Sequence, residues 1–159
     1  MNFCKKSYLL GFIYFCLQSC VAQKDNKEII SNRISVLDRK ISQNPQDASL
    51  YLERAHALDS TQNYLKALTD VNETLKLNSK NIDAYYLRGI LKIKLDDASG
   101  AINDFNKVIL LDSKNAPAYY QRGLIRLSVN DKSGACLEFK KALEYKYSKV
   151  QEMIDKNCK

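Results

Sequence analysis

A period of 34 residues runs through most of this chain and restricts its fold to a stack of like units. Tyr51, Tyr85 and Tyr119 share one phase, Arg54, Arg88 and Arg122 a second, and Ala67, Ala101 and Ala135 a third. Ala55 superposes on Gly89 and Gly123, and Val71 on Phe105 and Phe139. Between the later units whole strings recur: Ala-Tyr-Tyr-x-Arg-Gly at 84–89 and 118–123, and Asp-x-Ser-Gly-Ala at 97–101 and 131–135. Such agreement at one spacing marks a true repeat, in which each unit buries its apolar face against its neighbours.

The spacing inside a unit predicts two helices. Tyr85, Arg88/Gly89 and Lys92 stand at i, i+3/i+4 and i+7; after Asp96-Asp97 interrupts the pattern, Ala101, Phe105 and Val108 resume it. Asn81, Asn115 and either of Asp96 and Asp97 are placed to cap helices by accepting free backbone N–H groups. Only 5 Gly and 2 Pro occur, which suits long uninterrupted helices, while 45% apolar and 27% charged residues exclude a disordered chain. The expected fold is all-α, built of antiparallel helix pairs at 48–81, 82–115 and 116–149. Glycine inside a helix costs about 1 kcal/mol relative to alanine. Close approach of Gly89 to Ala101 and of Gly123 to Ala135, with Phe105 or Phe139 beside it, is expected to offset that.

Residues 1–22 read as a signal peptide. Lys5 and Lys6 precede an apolar stretch from Tyr8 to Leu17, which has signal-peptide length and is too short to span a bilayer. Leu17-Gln18-Ser19-Cys20 resembles the bacterial lipobox, which would make Cys20 the acylated N-terminus. Cleavage after Ala22, giving ordinary secretion, and an uncleaved anchor are the alternatives. Cys4 and Cys16 leave with the leader, and Cys20 is acylated or removed, so Cys136 and Cys158 remain. An isolated pair in an exported chain reads as a disulfide, the alternative being two unrelated buried thiols. Two thiolates with no nearby His fall short of a zinc site.

The period, an aromatic residue at repeat position 4, small residues at 8 and 20, an aromatic at 24 and a small residue near 27 together resemble the tetratricopeptide repeat. The resemblance covers nearly all of the chain beyond the leader and implies a right-handed α-solenoid. Arg stands where the family has Leu at position 7, Lys92 and Arg126 replace the aromatic at 11, and Ser79 and Ser113 replace Pro at 32. Pro45 falls on that last phase. Residues 23–47 are therefore expected to form a capping half repeat, with Ile30, Ile34, Leu37 and Ile41 on one face of Glu28–Gln43. Residues 148–159, with Val150, Met153 and Ile154, are expected to form a closing helix. Gly134-Ala135-Cys136 and Lys156-Asn157-Cys158 resemble the ending of exported tetratricopeptide proteins of Bacteroidetes-type bacteria, which implies that the two cysteines pair and hold that helix down.

In this family the first helices of successive pairs line a concave groove for a peptide or helix. Carried over by repeat position, the groove displays Leu52, Tyr86 and Tyr120, then His56, Ile90 and Leu124, then Asp59, Ile93 and Leu127. Glu53, Lys94 and Gln121 would orient a ligand; the competing reading has this apolar surface covered by the N-terminal cap or packed between helices. The family's carboxylate clamp needs Lys and Asn at positions 5 and 9, which are absent, so a chaperone-tail receptor is disfavoured. Arg54, Arg88 and Arg122 recur at a packing position, which assigns them stems between helices and heads on carbonyls or acids, not phosphate.

Catalytic chemistry finds little support. His56 is the lone imidazole and no nucleophile pairs with it in the sequence. Asp96, Asp97 and Asp104 read as separate acids on turns and solvated faces, and neither a metal signature nor a cofactor box is present. The net charge of +7 is dispersed, which argues against nucleic acid. The expectation is a non-catalytic interaction module in the bacterial cell envelope, tethered to the membrane through lipid on Cys20 and holding a protein or peptide partner. It needs no cofactor and no small-molecule substrate. A soluble secreted scaffold and an anionic-polymer binder are the alternatives.

Overall fold

The computed structural model describes residues 27–158. The signal peptide, Cys20 and the lipobox lie outside the described residues. A helix over 27–43 (α1) precedes three pairs: Ala48–Ser60 (α2) with Tyr64–Leu77 (α3), Ile82–Lys94 (α4) with Ala98–Leu111 (α5), and Ala116–Ser128 (α6) with Lys132–Glu144 (α7). A 3-10 turn at Ser148–Val150 leads into the short helix Gln151–Asn157 (α8), and no strand occurs among the described residues. Within each pair the helices pack along their length, each second helix packs on the next first helix, and α2 also reaches α4. The result is a right-handed α-solenoid of antiparallel pairs.

Short polar side chains set the helix starts. The carboxylate or amide oxygens of Asp47, Asn81, Asp97, Asn115 and Asp131 accept from the backbone N–H of Ser49, Ala84, Gly100, Ala118 and Gly134 at 2.8–3.2 Å. Asn63 is the exception: its side chain donates to Thr61 Oγ1 instead of capping α3. One residue earlier than each cap inside a pair, Gln62, Asp96 and Asn130 hold φ of 62°, 61° and 62°. That left-handed residue reverses the chain. Asp96 therefore turns and Asp97 caps.

Two of these caps give the fold an acid limit. The Gly134 N–H and then the Arg126 guanidinium hold the Asp131 carboxyl below its ordinary 3.8, and the Ser49 hydroxyl and N–H do the same for Asp47. As pH falls the unfolded chain binds these protons first. The stability from the caps is thus complete above the ordinary carboxylate range and lost as pH falls through the lower folded values. Asp131→Asn, which keeps a capping oxygen, should flatten the acid limb of a urea-midpoint profile while changing the neutral-pH midpoint little. An unaltered acid limb would remove Asp131 from the account.

The core is built of one motif repeated. Ala55, Ala67, Ala101, Ala135, Phe105 and Phe139 are completely buried. A Cβ on Gly89 would stand 2.8 Å from Phe105 Cε1, and one on Gly123 would stand 2.5 Å from Phe139 Cε1. The nearest groups to these glycines are therefore phenyl rings, not the alanines that the sequence places opposite them. The first unit carries Ala55 with Val71 in the same cluster, so a smaller partner leaves room for the methyl. Tyr51, Tyr85 and Tyr119 are half-buried, and the guanidinium carbons of Arg54, Arg88 and Arg122 lie 5.3–5.8 Å from their ring centres.

Both ends are covered. Leu37 and Ile41 of α1 are buried, with Ile34 packed against the first cluster. At the other end Lys146 takes a positive φ of 64°, Val150 is fully buried, and Met153 and Ile154 pack beside it against Phe139 and Ala142. The closing segment is thus a 3-10 turn plus one short helix. Cys136 in α7 and Cys158 at the end of α8 stand at disulfide distance, with S–S 2.00 Å and Cα–Cα 5.6 Å.

Candidate functional site

Two arrangements of side chains recur or converge in the solenoid: a ladder of buried ion pairs and a hollow between two of its first helices. The ladder belongs to Arg54, Arg88 and Arg122. Arg54 donates through Nε and Nη2 to Asp70 at 2.8 and 2.7 Å, and through Nη1 to Asp38 at 2.7 Å. Arg88 repeats this with Asp104 at 2.7 Å and Asn72 at 2.9 Å. Arg122 does so with Glu138 and Asn106, both at 2.7 Å. Each acid lies sixteen residues after its arginine and each outer acceptor sixteen before. One guanidinium therefore ties three helices: α1–α2–α3, α3–α4–α5 and α5–α6–α7.

The acids are largely out of water, with Asp70, Asp104 and Glu138 at 4%, 2% and 7% exposure. Asp104 is thus not a solvated surface acid, contrary to its reading from sequence. A second cation joins it, Lys92 Nζ at 2.8 Å, and Arg126 Nε lies 3.4 Å from Glu138. The cations that depart from the family pattern at positions 7 and 11 accordingly share one acid. The signal was present in the sequence, since Asp70, Asp104 and Glu138 recur at the repeat period. Hydrogen bonding to Asp70, opposed by burial and reinforced by Asp38, raises the Arg54 pKa above its ordinary value. Glu138 meets Arg122 only through Nη2, and Arg122 Nε is buried without an acceptor. Every repeating arginine is committed to an acid inside the protein.

The hollow, of about 420 Å³, lies between α2 and α4 and is lined by Leu52, His56, Asp83, Tyr86, Leu87 and Ile90. It brings together four of the residues that the resemblance assigns to the groove, and adds Asp83 and Leu87, which sequence reasoning missed. His56 is exposed; Leu52, Tyr86 and Ile90 are half-buried. Burial raises the Tyr86 pKa, against a hydrogen bond from Gln121 that lowers it. Ile93 packs with Tyr86 and Ile90 on the cluster around Phe105. The third-unit residues lie elsewhere. Tyr120, Leu124 and Leu127 pack on the cluster of Phe139 and Val150, and the Tyr120 ring is 5.2 Å from that of Tyr147.

The polar residues expected to orient a ligand have partners within the chain. Glu53 accepts from Arg33 at 2.7 Å, Lys94 pairs with Asp59 at 2.5 Å and lies 5.0 Å from the Tyr64 ring centre, and Gln121 meets Tyr86. The hollow therefore offers an apolar floor with His56 and Asp83 as its polar lining groups. Among the described residues no cluster of three His, Cys, Asp or Glu side chains is arranged to hold a metal, and no helix is long and apolar enough to cross a membrane.

Residues 82–115, the span from the start of α4 to the cap of α6, match the family model described as tetratricopeptide repeat. No curated protein matches the chain. Among solved structures, the crystal structure of MamA is similar at 21% identity and TM-score 0.71, over 78% of this chain and 72% of that one. The first TPR of Spaghetti (RPAP3), bound to the HSP90 peptide SRMEEVD, is similar at 18% identity and TM-score 0.67, over 71% and 91%. The TPR domain of Arabidopsis OM64 is similar at 28% identity and TM-score 0.65, over 69% and 91%. Residues 82–115 are thus a tetratricopeptide repeat, and the solenoid around them has the tetratricopeptide-repeat fold.

Proposed function

We propose that this protein is a non-catalytic interaction scaffold that holds an extended peptide or a helix of a protein partner on the inner faces of α2 and α4. The hollow lined by Leu52, His56, Tyr86 and Ile90 carries the reading, because half-buried aliphatic and aromatic groups supply anchoring area in a preformed recess. A rigid stack also places little of the ordering cost of binding on the protein. The RPAP3 domain holds an HSP90 peptide. Here positions 5 and 9 carry Leu52, Tyr86, His56 and Ile90, so a partner is expected to insert apolar side chains instead of presenting a terminal carboxylate.

The scaffold is further proposed to be exported and tethered to the cell envelope through acylated Cys20. Intact mass from the membrane fraction tests this: a chain beginning at Cys20 with acyl mass supports the tether, and one beginning at Gln23 without lipid makes it a soluble secreted scaffold. For the groove, a photo-crosslinking residue at His56 should yield one discrete adduct in cells, lost when Tyr86 and Ile90 are both changed to Ala. The same residue at Leu137, which is 67% exposed on α7, should yield none. Equal adducts at both sites would reject the inner face as the binding surface.

A further inference from the structure

In the second and third units a second cation reaches the buried acid, and the first unit lacks it. Lys92 stands 2.8 Å from Asp104, and Arg126 approaches Glu138. The same repeat position in the first unit is Leu58, 7% exposed, and above it lies a recess of about 310 Å³ between α1, α2 and α3. Asp70 and Asp38 line this recess together with Arg54, Ile34, Leu58, Thr69 and Lys66. It shares no residue with the hollow between α2 and α4.

We propose that this recess is a binding site for a primary ammonium on an aliphatic stem, either a lysine side chain of a partner or a free alkylamine. The repeat supplies the template. Asp104 accepts from Arg88 and still receives Lys92 Nζ, which also lies 3.4 Å from the Gly100 carbonyl. Asp70 accepts the same fork from Arg54 and has the same remaining lone pairs, since a carboxylate offers about four acceptor directions. Ile34 and Leu58 provide an apolar wall for the stem, the part that the Lys92 methylenes provide for themselves in the second unit.

The charge balance admits an incoming cation. The second unit accommodates Arg88 and Lys92 around Asp104 with neutral Asn72 at the outer position. The first unit has Asp38 at that position, so Asp38 and Asp70 together face Arg54 and Lys66. Lys66 occupies the repeat position of Gly100, is exposed, and forms no ion pair with the described residues. An ammonium in the recess would produce the same charge sum that the second unit already carries.

Methyl NMR on the purified chain tests this with n-butylammonium, n-butanol and an acetylated, amidated peptide containing one lysine. The ammonium should shift the Leu58 and Ile34 methyl signals saturably, and the alcohol should not. Leu58→Lys, which installs the residue of the second unit, should abolish the response. Asp38→Asn, which installs the residue of the later units and so keeps the test open if Leu58→Lys misfolds, should weaken binding by about threefold or more. A peptide that binds more tightly than butylammonium identifies a protein lysine as the ligand, and equal affinity identifies free amines. No saturable shift, an equal response to butanol, or unchanged binding in a folded Leu58→Lys or in Asp38→Asn would overturn the proposal.

Discussion

Asp104→Ala should destabilise the solenoid by about 3–5 kcal/mol, the range for removing one partner of a buried ion pair. Asp104 is 2% exposed and is the acid shared by Arg88 and Lys92, whose side chains are each 22% exposed. Without it, two cations remain in a low-dielectric seam between α4 and α5, and the methyl that replaces the carboxylate satisfies neither. Urea unfolding monitored by helicity measures the effect. The informative comparison replaces all three groups, with Arg88→Leu, Lys92→Leu and Asp104→Leu together. Apolar replacements of buried ion clusters are often neutral or stabilising, so the triple variant should recover most or all of the loss. A loss below about 1 kcal/mol for Asp104→Ala would place the cluster in the energetic class of surface pairs and reject its burial as decisive.

Removal of the Cys136–Cys158 pair should cost about 3 kcal/mol of global stability by the loop-entropy argument for a separation of 22 residues, and should in addition release α8 locally. Helix α8 has seven residues and no fully buried side chain. Isolated helices of that length are unstable in water. Its attachments are Val150 in the turn before it, the half-buried Met153 and Ile154, and Cys158 at its end. In the Cys136→Ser/Cys158→Ser variant, amide exchange across Gln151–Asn157 should approach the unprotected rate while α4 and α5, although less stable, remain protected. If α8 stays protected, Val150 and its neighbours suffice to hold it, and the cysteine pair acts only on the unfolded chain.

The helix pairs were legible in the sequence because their causes are local. Apolar spacing over seven residues, an Asn or Asp ahead of each apolar run, and a phase that recurs every 34 residues depend only on neighbours along the chain. The repeat also exposed the small-to-large exchange between Ala55 with Val71 and Gly89 with Phe105, and the placing of Phe105 and Phe139 beside the glycines, although not that the rings would be nearer than the alanines. Which of Asp96 and Asp97 turns and which caps was open, since both suit either place; the φ of 61° at Asp96 settles it.

The fate of individual polar and groove residues was decided in three dimensions. Asp104 sits among Asn103 and Asn106 and reads as surface, yet it is buried because α4 delivers Arg88 and Lys92 to it from sixteen and twelve positions earlier. Tyr86 and Tyr120 hold the same repeat position and look equivalent. Both rings pack on a phenyl ring, Tyr86 on Phe105 and Tyr120 on Phe139, but Tyr86 also lines the hollow beside α2, whereas Tyr120 also meets Tyr147 of the segment that follows α7. The amino-acid sequence by itself determined the helices, their pairing and their stacking, since those follow from periodicity and local hydrogen bonding. The tertiary structure alone decided which acid is shared, where a recess forms between α1, α2 and α3, and which groove residues find partners within the chain. Those outcomes depend on segments distant in sequence arriving at one place; the recurrence of Asp70, Asp104 and Glu138 at the repeat period marks the acids but not the cations that reach them.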